Sequence, residues 1–213
     1  MEQVLKNEGN VSIVLDIIEA IHINAGYLSE IDGATGDGDH GVNMNKGFLM
    51  SKDRIENSMS FSDGLKTVGR TLVMNIGGSM GPIYGTMFSR LSKSLKGVDN
   101  ITKKDFLNAL KQATEGLMDL AGAQVGDKTL IDTIYPATLA FEKAVQEDRS
   151  FTECLDVLFA AAEESKENTK NMVAKIGRAA RLGERSKGFL DAGATSCCII
   201  LQTLATSIKT KLN

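Results

Sequence analysis

The sequence predicts an all-α fold of about eight antiparallel helices, in an up-and-down bundle or closed helical barrel. Three observations carry this expectation: apolar residues recur at three- and four-residue steps from end to end, capping signals precede several of these stretches, and no alternating run announces a strand. The first helix carries Val11, Val14, Ile18, Ile21, Ala25 and Leu28 on one stripe. The second carries Met44, Phe48, Ser51 and Ile55, and the third Phe61, Leu65, Val68, Leu72 and Ile76. Tyr84, Met87, Leu91 and Leu95 mark the fourth, and Phe106, Leu110, Ala113, Leu117 and Leu120 the fifth. Leu130, Ile134, Ala137, Phe141 and Val145 give the sixth, with Pro136 expected to kink it because proline removes an internal hydrogen bond. Leu155, Leu158, Ala162, Ser165 and Met172 give the seventh, and Ala194, Cys197, Leu201, Leu204 and Ile208 the eighth. Ser60 with Asp63, Thr102 with Asp105, Thr129 with Asp132 and Ser150 with Glu153 have the spacing of a capping box or its aspartate variant.

The 213 residues suit one domain, residues 1–213, with no linker to divide it. Cys154, Cys197 and Cys198 fit no metal spacing and read as small core residues, so a reducing, cytoplasmic setting is expected. The opening MEQVLKNEGN is charged and lacks the apolar run of a signal peptide, and no apolar stretch approaches the ~20 residues that cross a bilayer. A net charge of −3, with three tyrosines, eight phenylalanines and no tryptophan, offers neither a basic stripe nor stacking aromatics, so direct nucleic-acid binding is not expected.

In an up-and-down arrangement the connections after helices one, three, five and seven share a pole. They are 32-DGATGDGDHG-41, 77-GGSMG-81, 122-GAQVGDK-128 and 177-GRAARLGERSKGFLDAG-193, and they hold 13 of the 21 glycines, which marks this pole as a site. The connections at the other pole, near 56-ENSMS-60, 97-GVDNI-101 and 146-QEDRS-150, are ordinary polar turns. Four even-numbered helices would begin at the glycine-rich pole and offer unsatisfied N–H groups to anionic oxygens. Asp32, Asp37 and Asp39 would repel a phosphate unless a divalent cation joins the two, and Mg²⁺ commonly bridges carboxylates and phosphates. The first loop therefore predicts a metal-bridged phosphate ligand.

Rival readings of that loop are weaker. Gly36, Gly38 and Gly41 match G-x-G-x-x-G, but they follow a helix and enclose two aspartates that would face a dinucleotide's pyrophosphate. An EF-hand counted from Asp37 would place Phe48 where a bidentate glutamate is required. The Asp37-Gly38-Asp39 pattern of phosphohydrolases and glycosyltransferases normally follows a strand, and a plain turn-forming loop leaves the other three glycine-rich loops unexplained. His40 could act through its ring or through its backbone N–H, and His22 reads as a partly buried structural histidine. Lys128, Arg178, Arg181, Arg185 and Lys187 either neutralise phosphate, dock an acidic partner or form a solvated surface. The 17-residue last loop is long enough to suggest that it covers or binds something.

Four segments, 36-GDGDHGVN-43, 77-GGSMGPIYGT-86, 126-GDKT-129 and 177-GRAARLGERSKGFLDAGATS-196, resemble in order the motifs of the L subunits of bacterial dihydroxyacetone kinases. They are also similar to the C-terminal nucleotide domain of ATP-dependent dihydroxyacetone kinases, but this chain has no room for a substrate-binding portion. The resemblance implies a barrel of eight antiparallel helices with ADP or ATP and two Mg²⁺ ions at one end, Asp32, Asp37 and Asp39 being the metal ligands. It implies nucleotide contacts at His40, Gly41, Val42 and Asn43, at Gly78, Ser79 and Met80, at Gly122 and Leu130, and at Arg178, Asp191, Ala192 and Gly193. It further implies that ADP serves as a retained coenzyme, phosphorylated from the phosphohistidine of an M subunit and dephosphorylated by dihydroxyacetone on a K subunit. Alternatives are a nucleotide-dependent module that binds a transcriptional regulator, or a kinase subunit that serves another hydroxy-ketone or uses free ATP. Met80 stands where the family often has serine, which puts a hydroxyl contact in question, and Ala192 replaces a common proline, which loosens the last loop.

Overall fold

Asn24 divides what the periodicity reads as one long first helix. In the computed structural model, which describes residues 2–213, α1 spans Ser12–Ile23 and α2 spans Ala25–Thr35, with Asn24 between them at φ −91°, ψ 5°. The Asn24 side-chain amide donates to the Ala20 carbonyl at 2.8 Å, a local bond that competes with helix continuation. The chain continues through α3 (His40–Lys52), α4 (Phe61–Asn75), α5 (Met80–Leu95), α6 (Lys103–Ala121), α7 (Ile131–Gln146), α8 (Phe151–Asn168) and α9 (Ala192–Lys209). The expected eight helices are thus present, the first of them broken. Each helix from α3 to α9 packs on the next, and α9 packs on α1, which packs on α3, so the ring closes.

The interior of the ring is one apolar cluster. Edge-to-face aromatic pairs such as Phe106 with Phe141 and Phe48 with Phe88, each 5.6 Å between ring centres, add geometric preference to area burial. Cys154, Cys197 and Cys198 lie buried and unpaired by disulfides within or beside it, as small core residues. Leu120, placed by its spacing on the core stripe of α6, is instead 49% exposed, because it belongs to the last turn before the site pole. Met172 also leaves its stripe: α8 ends at Asn168, and Met172 follows the 3₁₀ turn Thr169–Asn171 in extended conformation. α7 continues through Pro136.

At the pole away from the glycine-rich loops, α4, α6 and α8 each begin under a side-chain cap. Ser60 accepts from the Asp63 N–H, and Thr102/Asp105 and Ser150/Glu153 form complete capping boxes. Thr129 and Asp132 do not form one: the Thr129 hydroxyl accepts from Ile131, while the Asp132 carboxylate accepts from Thr129 at 2.7 Å and from Gly126 at 2.5 Å. Asp132 thereby ties down the preceding turn. The same closing pole holds two two-residue strands too short to show alternation, β1 (Leu5–Lys6) and β2 (Asn100–Ile101), paired antiparallel. Val4 and Asn213 exchange backbone hydrogen bonds at 3.3 and 3.1 Å, so the two ends of the chain meet there. Among the described residues no helix is long and apolar enough to cross a membrane.

Candidate functional site

The four glycine-rich connections line a single cleft of about 740 Å³ at the opposite pole. One carboxylate oxygen from each of Asp32, Asp37 and Asp39 lies within 4.8 Å of the others. Asp32 lies in the last turn of α2, which closes as Gly36 N–H donates to the Asp32 carbonyl at 2.5 Å, and Gly38 then takes φ +77°, a value that glycine adopts without cost. Asp39 then leads into α3, whose first N–H, from His40, donates to the Asp32 carboxylate at 3.3 Å. Three hard oxygen donors held this close have the chemistry of a divalent-cation site. Arg178, from the last loop, pairs with Asp37 across the mouth of the cleft.

The helices that begin around the cleft are capped differently from those at the closing pole. α3, α5 and α7 have Asp39, Ser79 and Leu130 at their N-caps, and none of these side chains accepts a hydrogen bond from its own helix. The first amide of α3, from His40, is taken by the Asp32 carboxylate and that of α7, from Ile131, by the Thr129 hydroxyl, whereas the amides at the start of α5 face the pole, where an anionic ligand would satisfy them. α9 is the exception, since Asp191 accepts from Ala194 N–H at 2.7 Å. Burial pushes the Asp191 carboxyl up to about 6, against the opposing pull of that bond and of Lys128.

His40, left open between ring and backbone by the sequence, has its ring buried beneath the cleft. Nε2 lies 2.9 Å from the Ser196 hydroxyl, which lies 2.5 Å from the Tyr84 hydroxyl, so α3, α9 and α5 are tied by one polar chain. Burial lowers the His40 pKa to about 4, although Asp32 pulls it upward, and the ring is neutral near pH 7. It is an anchor within the structure. Burial also drives the Tyr84 hydroxyl well above its ordinary range, so it stays protonated. His22, expected to be partly buried, is exposed and meets Asn45 at 2.9 Å.

Of the residues named from the sequence, Asp32, Asp37, Asp39, His40, Asn43, Gly78, Ser79, Met80, Leu130, Arg178, Asp191, Ala192 and Gly193 line the cleft. Gly41, Val42 and Gly122 do not line it. Gly41 is pressed against α2, where a Cβ would collide with the Ala25 carbonyl, so its missing side chain serves helix packing rather than ligand approach. Val42 is 64% exposed on the outside of α3, and Gly122, at φ +59°, ends α6 as a left-handed cap. Lys128 also lines the cleft, and its ammonium is bonded to three backbone carbonyls. Sequence reasoning missed Tyr84 and Leu120 as cleft residues, having assigned both to core stripes, and it missed Ile176 altogether. With Met80 and Ile83 these give the cleft an apolar wall beside its acidic and amide-rich floor.

Residues 34–206 match the family model described as the DAK2 domain. The chain is 33% identical over 185 residues to the "PEP-dependent dihydroxyacetone kinase, ADP-binding subunit DhaL" of Escherichia coli, covering 86% of this chain and 88% of that one. It is 32% identical over 182 residues to the D-erythrulose kinase of Mycolicibacterium smegmatis, covering 84% of this chain but 31% of the relative. Among solved structures, the dihydroxyacetone kinase of C. freundii superposes with a TM-score of 0.69 in its native form and 0.67 in complex with AMP-PNP and Mg²⁺. Those matches, at 22% identity, cover 92% and 93% of this chain and about a third of the kinase, and they show a shared fold. The chain belongs to the DAK2 domain family.

Proposed function

We propose that this chain is the nucleotide-holding subunit of a phosphoenolpyruvate-dependent dihydroxyacetone kinase. On this reading residues 1–213 form one cytoplasmic domain that retains Mg-ADP/ATP as a coenzyme. It relays a phosphoryl group from the phosphohistidine of an M subunit to dihydroxyacetone bound on a K subunit. The observation that carries the reading is the group of three carboxylates set opposite uncapped helix N-termini across one cleft. The alignment with the ADP-binding subunit named above covers 86% of this chain and 88% of that one, which supports the comparison.

Asp32, Asp37 and Asp39 would hold the cations, probed as two Mg²⁺ ions, and the amides of Gly78 to Met80 would bind phosphate oxygens, with the His40 and Asn43 side chains beside them at the cleft wall. Bound Mg²⁺ and nucleotide supply the transferable phosphoryl group and the neutralisation of its charge. Leu130, Arg178 and the Asp191–Gly193 segment complete the proposed nucleotide contacts, and the apolar wall around Leu120 and Ile176 suits a base. The ring of His40 is neutral, buried and bonded to Ser196, so it is no general base for a hydroxy-ketone. The groups that activate the substrate therefore belong to the partner.

Mass analysis of nucleotide released from the purified protein tests this directly. Asp37→Asn should weaken Mg-dependent ADP retention by about a hundredfold or more, as expected for removing one ligand of a charged site, with helical content unchanged. Unchanged retention would sink the metal assignment. Turnover of dihydroxyacetone with free ATP alone would count against a retained coenzyme. Two features keep other readings in play in the same assay: the D-erythrulose kinase relative makes erythrulose the second substrate to try. The exposed basic residues Arg178, Arg181, Arg185 and Lys187 at the rim make a transcriptional regulator the partner to try.

A further inference from the structure

The segment between α8 and α9, residues 169–191, contains little regular structure beyond two 3₁₀ stretches, Thr169–Asn171 and Ala179–Ser186, yet it carries Arg178 and Asp191 into the cleft. Its folded path converges on one side chain outside it. Lys128 is 1% exposed. Its ammonium donates to the carbonyls of Met172 at 3.2 Å, Phe189 at 2.8 Å and Ser186, which belong to the start, the end and the middle of the segment. An ammonium has three protons to donate, and all three are used.

The backbone around Lys128 is arranged to deliver it. Lys128 sits at φ +62°, an uncommon conformation for a side-chain-bearing residue, two residues after Gly126 at φ +95°. Asp127 and Asp132 brace the turn from either side, Asp127 accepting from Gln124 at 2.8 Å and Asp132 from Gly126 and Thr129. The Asp127 carbonyl also accepts from the Lys175 N–H at 3.1 Å, a second stitch between turn and segment. Burial weakens the hold of Lys128 on its proton, and the nearby Asp191 offsets that.

We infer that Lys128 is a positioning residue whose ammonium organises the 169–191 segment over the cleft and so slows the escape of the ligand held there. The order of the segment follows from the geometry alone, while the slowing of escape rests on the proposed nucleotide function. Hydrogen exchange on the metal- and nucleotide-free protein separates the two. Four amides report on the segment: Ala174, bonded to the Ser186 hydroxyl; Lys175, to Asp127; Gly188, to Lys170; and Asp191, to the Thr169 hydroxyl. In Lys128→Met these four should exchange about tenfold faster or more, the equivalent of losing one charge-assisted hydrogen bond, while amides of α4 and α5 keep their rates.

Lys128→Cys in a chain whose other cysteines are replaced by alanine, treated with bromoethylamine while unfolded and then refolded, carries an ammonium at nearly the original reach and should recover the slow exchange. Unchanged exchange in Lys128→Met, acceleration spread equally over every helix, or failure of the rebuilt ammonium to restore protection would each overturn the inference. With Mg-ADP loaded, Lys128→Met should release nucleotide about tenfold faster, and an unchanged release rate would overturn the link to ligand escape. If the unsubstituted protein holds no ADP, the proposed function falls, and the exchange measurement still decides the role of Lys128.

Discussion

The two poles of the ring begin their helices in opposite ways. At the closing pole α4, α6 and α8 satisfy their first amides with their own Ser or Thr side chains. At the cleft α3, α5 and α7 leave those amides without such a cap, and the acidic trio stands in front of them. A side-chain cap adds about 1 kcal/mol to a helix. The contrast has exceptions, since α1 begins at the closing pole without a side-chain cap, α9 begins at the cleft with one, and the Thr129 hydroxyl takes the first amide of α7; it is sharpest between α5 and the capped α4, α6 and α8, where a ligand would supply the partners that α5 lacks. The difference teaches that a site can be read from where capping is absent as well as from where reactive groups gather.

Substitutions can break or sharpen this contrast. The largest loss of stability is expected at Gly41→Ala, where the added carbon meets the backbone of α2, which cannot yield as a side chain could: about 3 kcal/mol, measured by urea unfolding. Because that residue lies at the site pole, the result would show that its glycines include structural ones.

Acid comes next. The folded pKa of His40, about 4, lies below its ordinary 6.5, so the unfolded chain takes up a proton that the folded one refuses. His40 alone therefore lowers stability by about 2 kcal/mol as pH falls from about 7 to about 5. The folded pKa of Asp191, about 6, lies above its ordinary 3.8, and it acts in the opposite direction over the same window. The unsubstituted protein should be nearly flat there, whereas His40→Gln should grow more stable on acidification and Asp191→Asn less stable. Unfolding midpoints at the two pH values would check both signs.

Thr102→Ala removes a complete capping box at the closing pole and should cost about 1 kcal/mol while leaving nucleotide retention unchanged. Ser79→Ala, the matching change at the cleft, removes no cap and should alter stability by less than about 0.5 kcal/mol. Equal losses at Thr102 and Ser79, measured by thermal unfolding, would erase the contrast between the poles.

Much of this was legible in the sequence because helical periodicity and capping boxes are local signals. The stripes from Met44 to Ile208 fall on the helices they announce except at Ile55 and Met172, which lie beyond the ends of α3 and α8, and Ser60, Thr102 and Ser150 cap as their spacing implies. The errors share a cause, which is that side-chain direction is set by distant partners. Periodicity runs straight through Asn24, whose break depends on a side-chain bond to Ala20. Thr129 and Asp132 have capping-box spacing, yet Asp132 is drawn to Gly126. Lys128 reads as a free cation until the carbonyls of residues 172, 186 and 189 are brought to it. The acidic trio was legible as a cluster because a short turn confines it. Its surroundings, Tyr84, Leu120 and Ile176, come from three separate elements and carried no local mark.

The meeting of Val4 with Asn213 has a practical side. Residues 4 and 213 lie together at the pole away from the cleft, so a fluorophore or a surface tether attached beside either one leaves the binding end turned toward solution. A short peptide joining the two would bridge a gap already spanned by hydrogen bonds, and new ends could then be opened in the exposed turn at residues 56–59. Such a circularly rearranged chain would keep every loop of the cleft intact while moving the point of attachment.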